Sequence, residues 1–287
     1  MTTARRWSRR PWSAGAGSTV ARARHTERWF YLLAGPWIAG FLVLQVIPLV
    51  LSTGLAFTSW EPPADPRWVG LANFTTLLGD GRFAAALLNT IVYAAATVGP
   101  GLVIGLALAL LLAPLRRGDA VRTLVFLPAV LAGAATALVW GWILNPRFGL
   151  LNGVLGLLGI QGPAWLHDAD WAMAGLVLMA LWNVGVNVVV YMAALGNVPA
   201  VLHEAAALDG AGAIARFRHV TWPALTPATF YLAVVNAIAA FQVFTPGYVL
   251  TGGGPDDSTL TTALYTYETA FRSGQPGYAA AFRVLPL

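Results

Sequence analysis

Five long stretches of the 287-residue chain contain no charged residue and no His, and this feature constrains the fold more than any other. A bilayer core about 30 Å thick is crossed by about 20 consecutive apolar residues in a helix, and two crossings need about 40. We therefore predict one transmembrane helix in each of the five apolar runs, Trp29–Trp60, Phe83–Leu115, Thr123–Pro146, Trp171–Leu202 and Val220–Pro255.

The composition agrees with a membrane protein. Charged residues make up 10% of the chain, whereas soluble domains carry about 25%. Buried core helices of a large soluble protein would be the alternative, but they do not explain five such runs in a chain of this length. The sequence thus predicts an all-α, polytopic transmembrane helical bundle.

Two residue types are missing, and their absence excludes several kinds of chemistry. The chain has no Cys, so it lacks disulfides, thiolate catalysis and zinc–thiolate sites. It also has no Lys, since all 17 basic residues are Arg, and therefore lacks a P-loop lysine and a Schiff-base lysine. If the protein uses ATP, we expect another chain to bind it.

The Arg residues are unevenly distributed along the chain. Seven of the 17 precede residue 29, and we interpret residues 1–28 as a disordered cytoplasmic tail rather than as an arm that binds nucleic acid. Residues 29–287 then form the membrane domain. Because Arg favours cytoplasmic loops, the charge pattern predicts a cytoplasmic N-terminus and a cytoplasmic loop around Arg216 and Arg218.

The last residues of the chain resemble the start of a further span. Only SGQPGYAAAF separates Arg272 from Arg283, and about ten residues cannot cross a bilayer. We expect five full spans plus a truncated sixth. A truncated, non-transporting fragment is accordingly one alternative for the function.

A polar segment at about residues 198–224 separates the last two runs. Pro199 is a helix-start signal, Ala-rich sequence follows it, and Gly210 ends the predicted helix. A second short helix is predicted over residues 214–220, ending before Pro223. The pattern predicts a helix-turn-helix on the cytoplasmic face that a partner can approach closely. A loop that merely connects two spans is the alternative.

This segment resembles the EAA loop of permease subunits of binding-protein-dependent ABC importers. The family pattern is Glu-Ala-Ala, then Asp-Gly-Ala, then an aromatic residue, an aliphatic residue and Pro. Trp222 stands where Leu is common. The residues that match are Glu204, Ala205, Ala206, Asp209, Gly210, Ala211, Phe217, Val220 and Pro223. Elsewhere, WVGLANFTTLL and TGGGP resemble the carbohydrate branch of the family, whose members take up sugars or glycerol phosphates.

The resemblance implies a transport subunit rather than an enzyme. Its coupling segment would dock on cytoplasmic ATPase subunits, and it would work by alternating access with a second permease subunit, an extracytoplasmic solute-binding protein and a sugar substrate. The chain itself is expected to hold no cofactor, metal or catalytic residue, and ATP and Mg would be bound by the ATPase. The implied coupling residues are Glu204, Ala205, Ala206, Asp209, Gly210, Ala211 and Pro223.

Polar residues inside membrane spans are costly and often functional. Amides and a hydroxyl of this kind could contact a sugar in the substrate path, with hydrogen bonds between helices as the alternative. Asn183 and Asn187 are four residues apart, which predicts a shared helix face. The candidates for the path are Asn183, Asn187, Tyr191, Asn236 and Gln242.

Two loops allow further interpretations. Gly252, Gly253, Gly254 and Pro255 predict either a tight external turn that needs positive φ or a contact with the binding protein.

A membrane enzyme is a further alternative for the function. Its carboxylates would come from acid pairs on the loops, Asp168 with Asp170 and Asp256 with Asp257.

Overall fold

The computed structural model describes residues 31–115 and 119–284, and this part of the chain is helical apart from a two-stranded ribbon. Strands β1 and β2 pair antiparallel, with Thr58 opposite Trp68. The elements are α1 (Tyr31–Leu55), β1 (Thr58–Ser59), β2 (Arg67–Trp68), α2 (Ala72–Leu78), α3 (Gly81–Leu112), α4 (Asp119–Val130), α5 (Gly133–Ile143), α6 (Leu150–Leu157), α7 (Ala169–Trp182), α8 (Gly185–Gly196), α9 (Ala200–Leu208), α10 (Ala213–Phe241), α11 (Thr262–Tyr267) and α12 (Pro276–Val284).

The chain forms two compact units that divide after Leu55. The described part of the first unit is α1, a 25-residue apolar helix. The second unit begins at Ala56 and contains all the other elements. The tail predicted for residues 1–28 lies outside the described residues.

Four helical stretches of the described chain are long and apolar enough to cross a membrane: α1, α3, α7 with α8, and α10. The pair α4 and α5 adds a fifth if it counts as one span. The predicted helical membrane fold is therefore confirmed in its class. The count of five full spans and a truncated sixth, which corresponds to α12, stays a prediction.

The third apolar run differs from the prediction of one helix. It contains α4 and α5, which meet at an angle of 102°. Pro128 in the last turn of α4 lacks the N–H that would continue the hydrogen-bond ladder, and Ala132 is extended. In addition, a Cβ at Gly185 would lie 2.6 Å from the carbonyl oxygen of Val125, so α4 and α8 are in backbone contact. Pro128 and this packing accompany a bend that apolar composition alone does not reveal.

The fifth run also differs, because Pro223 does not end a helix. Helix α10 is continuous from Ala213 to Phe241. A π turn over Phe217–Thr221 precedes the proline. Its hydrogen bonds span one residue more than those of an α-helix, and the helix continues past Pro223, which has no N–H to donate. The second short helix predicted for residues 214–220 is therefore the first part of the span itself.

The core of the second unit is formed by α3, α8 and α10, with α7 continuing the line of α8. One apolar cluster joins the C-terminal part of α3 and the first two turns of α8 to Leu232 of α10, through Ala109, Leu112, Val188 and Tyr191. A second cluster joins the N-terminal half of α3 to α7 and the end of α10, through Tyr93, Ala94, Leu176 and Ala240. Thus α3 and α7–α8 run in the same direction, and α10 runs in the opposite one.

Candidate functional site

The direction of these helices separates two surfaces of the second unit. The loop after α8, which leads into α9, lies at the C-terminal end of α3. The loops before α3 and α7 and the segment after α10 lie at the N-terminal end of α3. The segment singled out by its sequence at residues 198–224 therefore begins at the opposite end of the bundle from the segment that contains Gly252–Pro255.

Helix α9 ends in a glycine turn that sets the direction of the next helix. Gly210 has φ +77°, which other residues adopt only with strain. The N–H of Ala211 donates to the carbonyl of Ala206 at 2.9 Å, and the N–H of Gly210 donates to the carbonyl of Ala207 at 3.1 Å. This pair of bonds closes the helix end in the Schellman pattern. Gly and Ala residues thus build the turn between α9 and α10.

The outer surface of this turn carries both acids and apolar side chains. Glu204 and Asp209 are exposed, as is Pro223 in the third turn of α10. Leu208 is 90% exposed and Ile214 is 84% exposed. Exposing two large aliphatic side chains on either side of a tight turn to water is unfavourable, and burying them would be favourable. This surface is therefore suited to contact with another protein. Of the predicted coupling residues, Ala206 and Ala211 are half-buried and the others are exposed.

Two of the predicted path residues hydrogen-bond to each other inside the bundle. The amide of Asn236 on α10 donates to Oδ1 of Asn187 on α8 at 3.0 Å. The Asn187 amide donates in turn to the carbonyl of Gly101 on α3 at 3.2 Å. Asn187 is only 6% exposed. The two side chains therefore join three helices, between the two apolar clusters.

The other path candidates lie apart from this pair. The helix is interrupted after Trp182, so Asn183 caps α7 and is exposed, and it does not share a continuous helix face with Asn187 as the spacing predicted. Gln242 is exposed at the end of α10. Tyr191 is buried in the apolar cluster of α3, α8 and α10.

The N-terminal end of α3 carries a cluster of polar side chains that the sequence did not single out. Asp80 caps the helix, accepting from the N–H groups of Arg82 and Phe83. Its Oδ2 also accepts from the hydroxyls of Tyr265 at 2.7 Å and Tyr278 at 2.8 Å. Burial acts against the charged form, but these four donors outweigh it and hold the pKa of Asp80 below its usual value. Burial, together with the hydrogen bond to Asp80, raises the pKa of Tyr265 to about 12.

Arg82 links the same helix end to the segment after α10. It forms a two-pronged pair with Asp257, with both N–O distances at 2.7 Å, and a longer contact with Glu268 at 3.4 Å. The Arg82 guanidinium lowers the pKa of Asp257. Nearby, Asn89 donates to the carbonyls of Asp257 and Leu260. An Asp directly before a long apolar helix is a capping signal that could have predicted Asp80, but its partners are almost 200 residues away.

The TGGGP segment forms a tight turn beside this cluster. Gly252 and Gly253 have φ values of +61° and +92°, while Gly254 has no positive φ. A Cβ at Gly253 would also lie 3.2 Å from Cδ1 of Leu260. The hydroxyl of Thr259 donates to the carbonyl of Gly254 at 2.8 Å. This turn is closely packed, and the predicted contact of Gly252–Pro255 with a binding protein stays a prediction.

A shallow depression of about 220 Å³ lies at the same end of the unit. Its polar groups bond within the chain: the Asn73 amide donates to the carbonyls of Ala56 and Thr58, and the Gln275 amide donates to Glu61. Asp168 in the loop before α7 likewise has a partner within the chain: it caps α7 by accepting a hydrogen bond from the N–H of Asp170. These contacts stabilise the loops in which they lie.

Comparison with known proteins gives a consistent result. Residues 81–287 match the family described as "Binding-protein-dependent transport system inner membrane component". The probable ABC transporter permease protein YesP of Bacillus subtilis (strain 168) is 37% identical over 257 residues, which cover 88% of this chain and 83% of YesP. The sulfoquinovosyl glycerol transport system permease protein SmoG of Agrobacterium fabrum (strain C58 / ATCC 33970) is 32% identical, over 85% of this chain and 80% of SmoG.

A solved structure has the same fold. It is the crystal structure of a bacterial ABC transporter involved in the import of the acidic polysaccharide alginate, and one of its chains superposes with a TM-score of 0.79. The match covers 93% of both chains at 23% sequence identity. At that identity the likeness shows the fold alone.

Proposed function

Because this chain belongs to the family of binding-protein-dependent transport system inner membrane components, we propose that it is the permease subunit of an ABC importer for a carbohydrate. In this proposal the chain forms part of the path across the cytoplasmic membrane and alternates between two open states. Separate ATPase subunits bind ATP and Mg, and a solute-binding protein delivers the substrate to a pair of permease subunits.

The observation that carries this proposal is the surface at the turn between α9 and α10. Leu208 and Ile214 are almost fully exposed there, beside Glu204 and Asp209. The chain has no Lys and therefore lacks the lysine of a phosphate-binding loop. In this proposal the energy for transport comes from ATP hydrolysis in a partner, which must contact the permease at a surface of this kind. A short helix with small residues and a rigid turn can transmit the movement of a partner to α10, the span that follows it.

The carbohydrate class is supported by the relatives. SmoG is named for a sulfoquinovosyl glycerol transport system. Sugars are recognised by amide and hydroxyl groups, and the buried Asn187–Asn236 pair supplies amides within the spans. We propose that Asn183, Tyr191 and Gln242 add to the path in other states of the transport cycle.

The docking surface can be tested by co-purification of the ATPase subunits with the tagged chain from membranes. We expect Leu208→Asp to reduce retention of the ATPase at least about tenfold, because it places an unpaired charge in an apolar contact. Insertion of the chain should be unchanged, since Leu208 is 90% exposed.

Leu78→Asp provides the matched control. Leu78 is 79% exposed and closes α2 at the opposite end of the bundle, so the same chemical change there should leave ATPase retention unchanged. Equal retention in wild type and Leu208→Asp would show that the ATPase binds another surface. Absence of any ATPase from wild-type preparations would contradict the proposed function itself.

A further inference from the structure

The loop between α5 and α7 exposes an unusually apolar surface. No charged residue occurs between Arg147 and His167. We call residues 148–160 the loop helix segment, and it contains α6. Five large apolar side chains of this segment are more than half exposed: Phe148, Leu150, Leu157, Leu158 and Ile160.

The opposite face of α6 is fixed to the protein. Leu151 and Leu155 pack against a buried cluster of Leu144, Trp165 and Leu166. The segment therefore presents one face to the bundle and a second apolar face outward. Because the inner face is packed, the outward face cannot turn in without breaking that cluster.

The polar groups of the loop are satisfied within the chain. Asn145 accepts through Oδ1 from the N–H groups of Arg147 and Phe148. Asn152 accepts from the indole N–H of Trp165 at 2.7 Å and donates to the carbonyl of Pro163 at 3.1 Å. A segment at the edge of hydrocarbon needs this kind of internal pairing, since lipid chains offer no hydrogen bonds.

The position of the loop also relates it to the membrane surface. It joins α5 to α7, which are parts of two candidate spans. Trp142 near the end of α5 is 79% exposed, and Trp171 in the first turn of α7 is 43% exposed. Exposed tryptophans at helix ends mark the level of the lipid headgroups.

We propose that the loop helix segment lies in the boundary between lipid headgroups and acyl chains, at the end of the bundle where α3 begins. Its partner is the lipid surface, because its exposed apolar face is flanked by exposed tryptophans on two candidate spans and carries no charge to orient a protein in water. The charged residues Arg147 and His167, at the two ends of the loop, lie where the chain leaves the boundary. This inference needs membrane insertion but does not depend on the substrate or on the ATPase.

The absence of Cys from the natural chain makes the test direct. The full chain carrying Leu157→Cys is labelled with a nitroxide and reconstituted in vesicles of phosphatidylethanolamine and phosphatidylglycerol. Collision rates with oxygen, which concentrates in lipid, and with a water-soluble nickel chelate are then measured by electron paramagnetic resonance. Leu157 is chosen because it is 87% exposed, and Leu158→Cys repeats the measurement one residue away.

Two further positions calibrate the result. Asp65→Cys lies in an exposed loop at the same end of the unit and reports water, and Val103→Cys is 68% exposed in the middle of α3 and reports lipid. We expect an oxygen-to-nickel ratio at Leu157 several-fold above that at Asp65 and closer to that at Val103. A ratio equal to that at Asp65 would overturn the proposal, and so would exclusion of both reagents, which would mean that a protein covers this face.

Discussion

Asn187 and Asn236 join three helices through their side-chain amides. Asn187 is almost fully buried, and its side chain contacts both α3 and α10. Both interpretations of these residues, as contacts between helices and as contacts with a sugar, are compatible with one state of the molecule. The hydrogen bonds show that the structural role exists, and only a functional measurement can add the second role.

A double-mutant cycle separates the two roles. We expect Asn187→Ala and Asn236→Ala to be coupled by about 0.6 kcal/mol, and by no more than about 1.7 kcal/mol, as for other hydrogen bonds between membrane helices. The free energy of unfolding in detergent micelles gives the coupling.

The same variants are then assayed for substrate uptake. Val188→Ala is the control, because Val188 lies in the apolar cluster and carries no polar group that could contact a sugar. Purely additive effects on stability would argue against the hydrogen bond in the assembled protein. A loss of uptake in Asn236→Ala larger than its loss of stability explains would support contact with the substrate.

At the scale of the element, glycines determine how closely the helices approach. A Cβ at Gly105 of α3 would lie 2.7 Å from the Cβ of Asn187, and the corresponding atom at Gly185 of α8 would meet the backbone of α4. Small residues at helix crossings are the usual device in membrane bundles, where packing replaces the hydrophobic effect as the driving force. Helix α4, which precedes the bend, approaches α8 closely in this way.

We predict that Gly105→Ala destabilises the bundle by about 1–3 kcal/mol, because the added methyl group meets an atom fixed to the backbone of α8. Gly196→Ala, in the last turn of α8, is the matched control: its Cβ would have no neighbour within 4 Å. The midpoint of thermal aggregation in detergent should fall for the first variant and stay or rise for the second. Equal midpoints would mean that the two helices are farther apart than described.

At the scale of the whole molecule, the second unit has two chemically different ends. One end exposes the large apolar side chains of Leu208 and Ile214 beside exposed acids, as the proposed docking surface requires. The other end is locked by the contacts of Asp80 and Arg82 with residues of the segment after α10. In the proposed function, the first end would contact the ATPase while the second holds α3 to the segment after α10.

The positive-inside pattern predicts which end faces the cytoplasm. In sealed right-side-out vesicles, a membrane-impermeant maleimide should label Asp65→Cys and leave Leu208→Cys unlabelled. Inside-out vesicles should give the reverse result. The wild-type chain, which has no Cys, is the blank in both preparations. Labelling of Leu208→Cys from the outside would overturn the predicted orientation.

The sequence by itself determined the helical membrane class and the family. In lipid, a helix pairs the backbone hydrogen-bonding groups of a long uncharged run within the run itself, and the EAA pattern is likewise local. Both features can therefore be recognised along the chain without knowing which segments contact each other. The predicted resemblance to permeases of binding-protein-dependent importers is confirmed by the family match over residues 81–287. The coupling and path roles of individual residues stay predictions.

Only the tertiary structure decided how the runs are divided and which polar residues meet. Helix α4 of the bent third run packs against Gly185, and the Asp80 cluster joins residues almost 200 positions apart. The continuity of α10 through Pro223 depends on a π turn that composition does not encode. These features arise from contacts between distant segments, whose energies are set by the packed geometry rather than by local sequence.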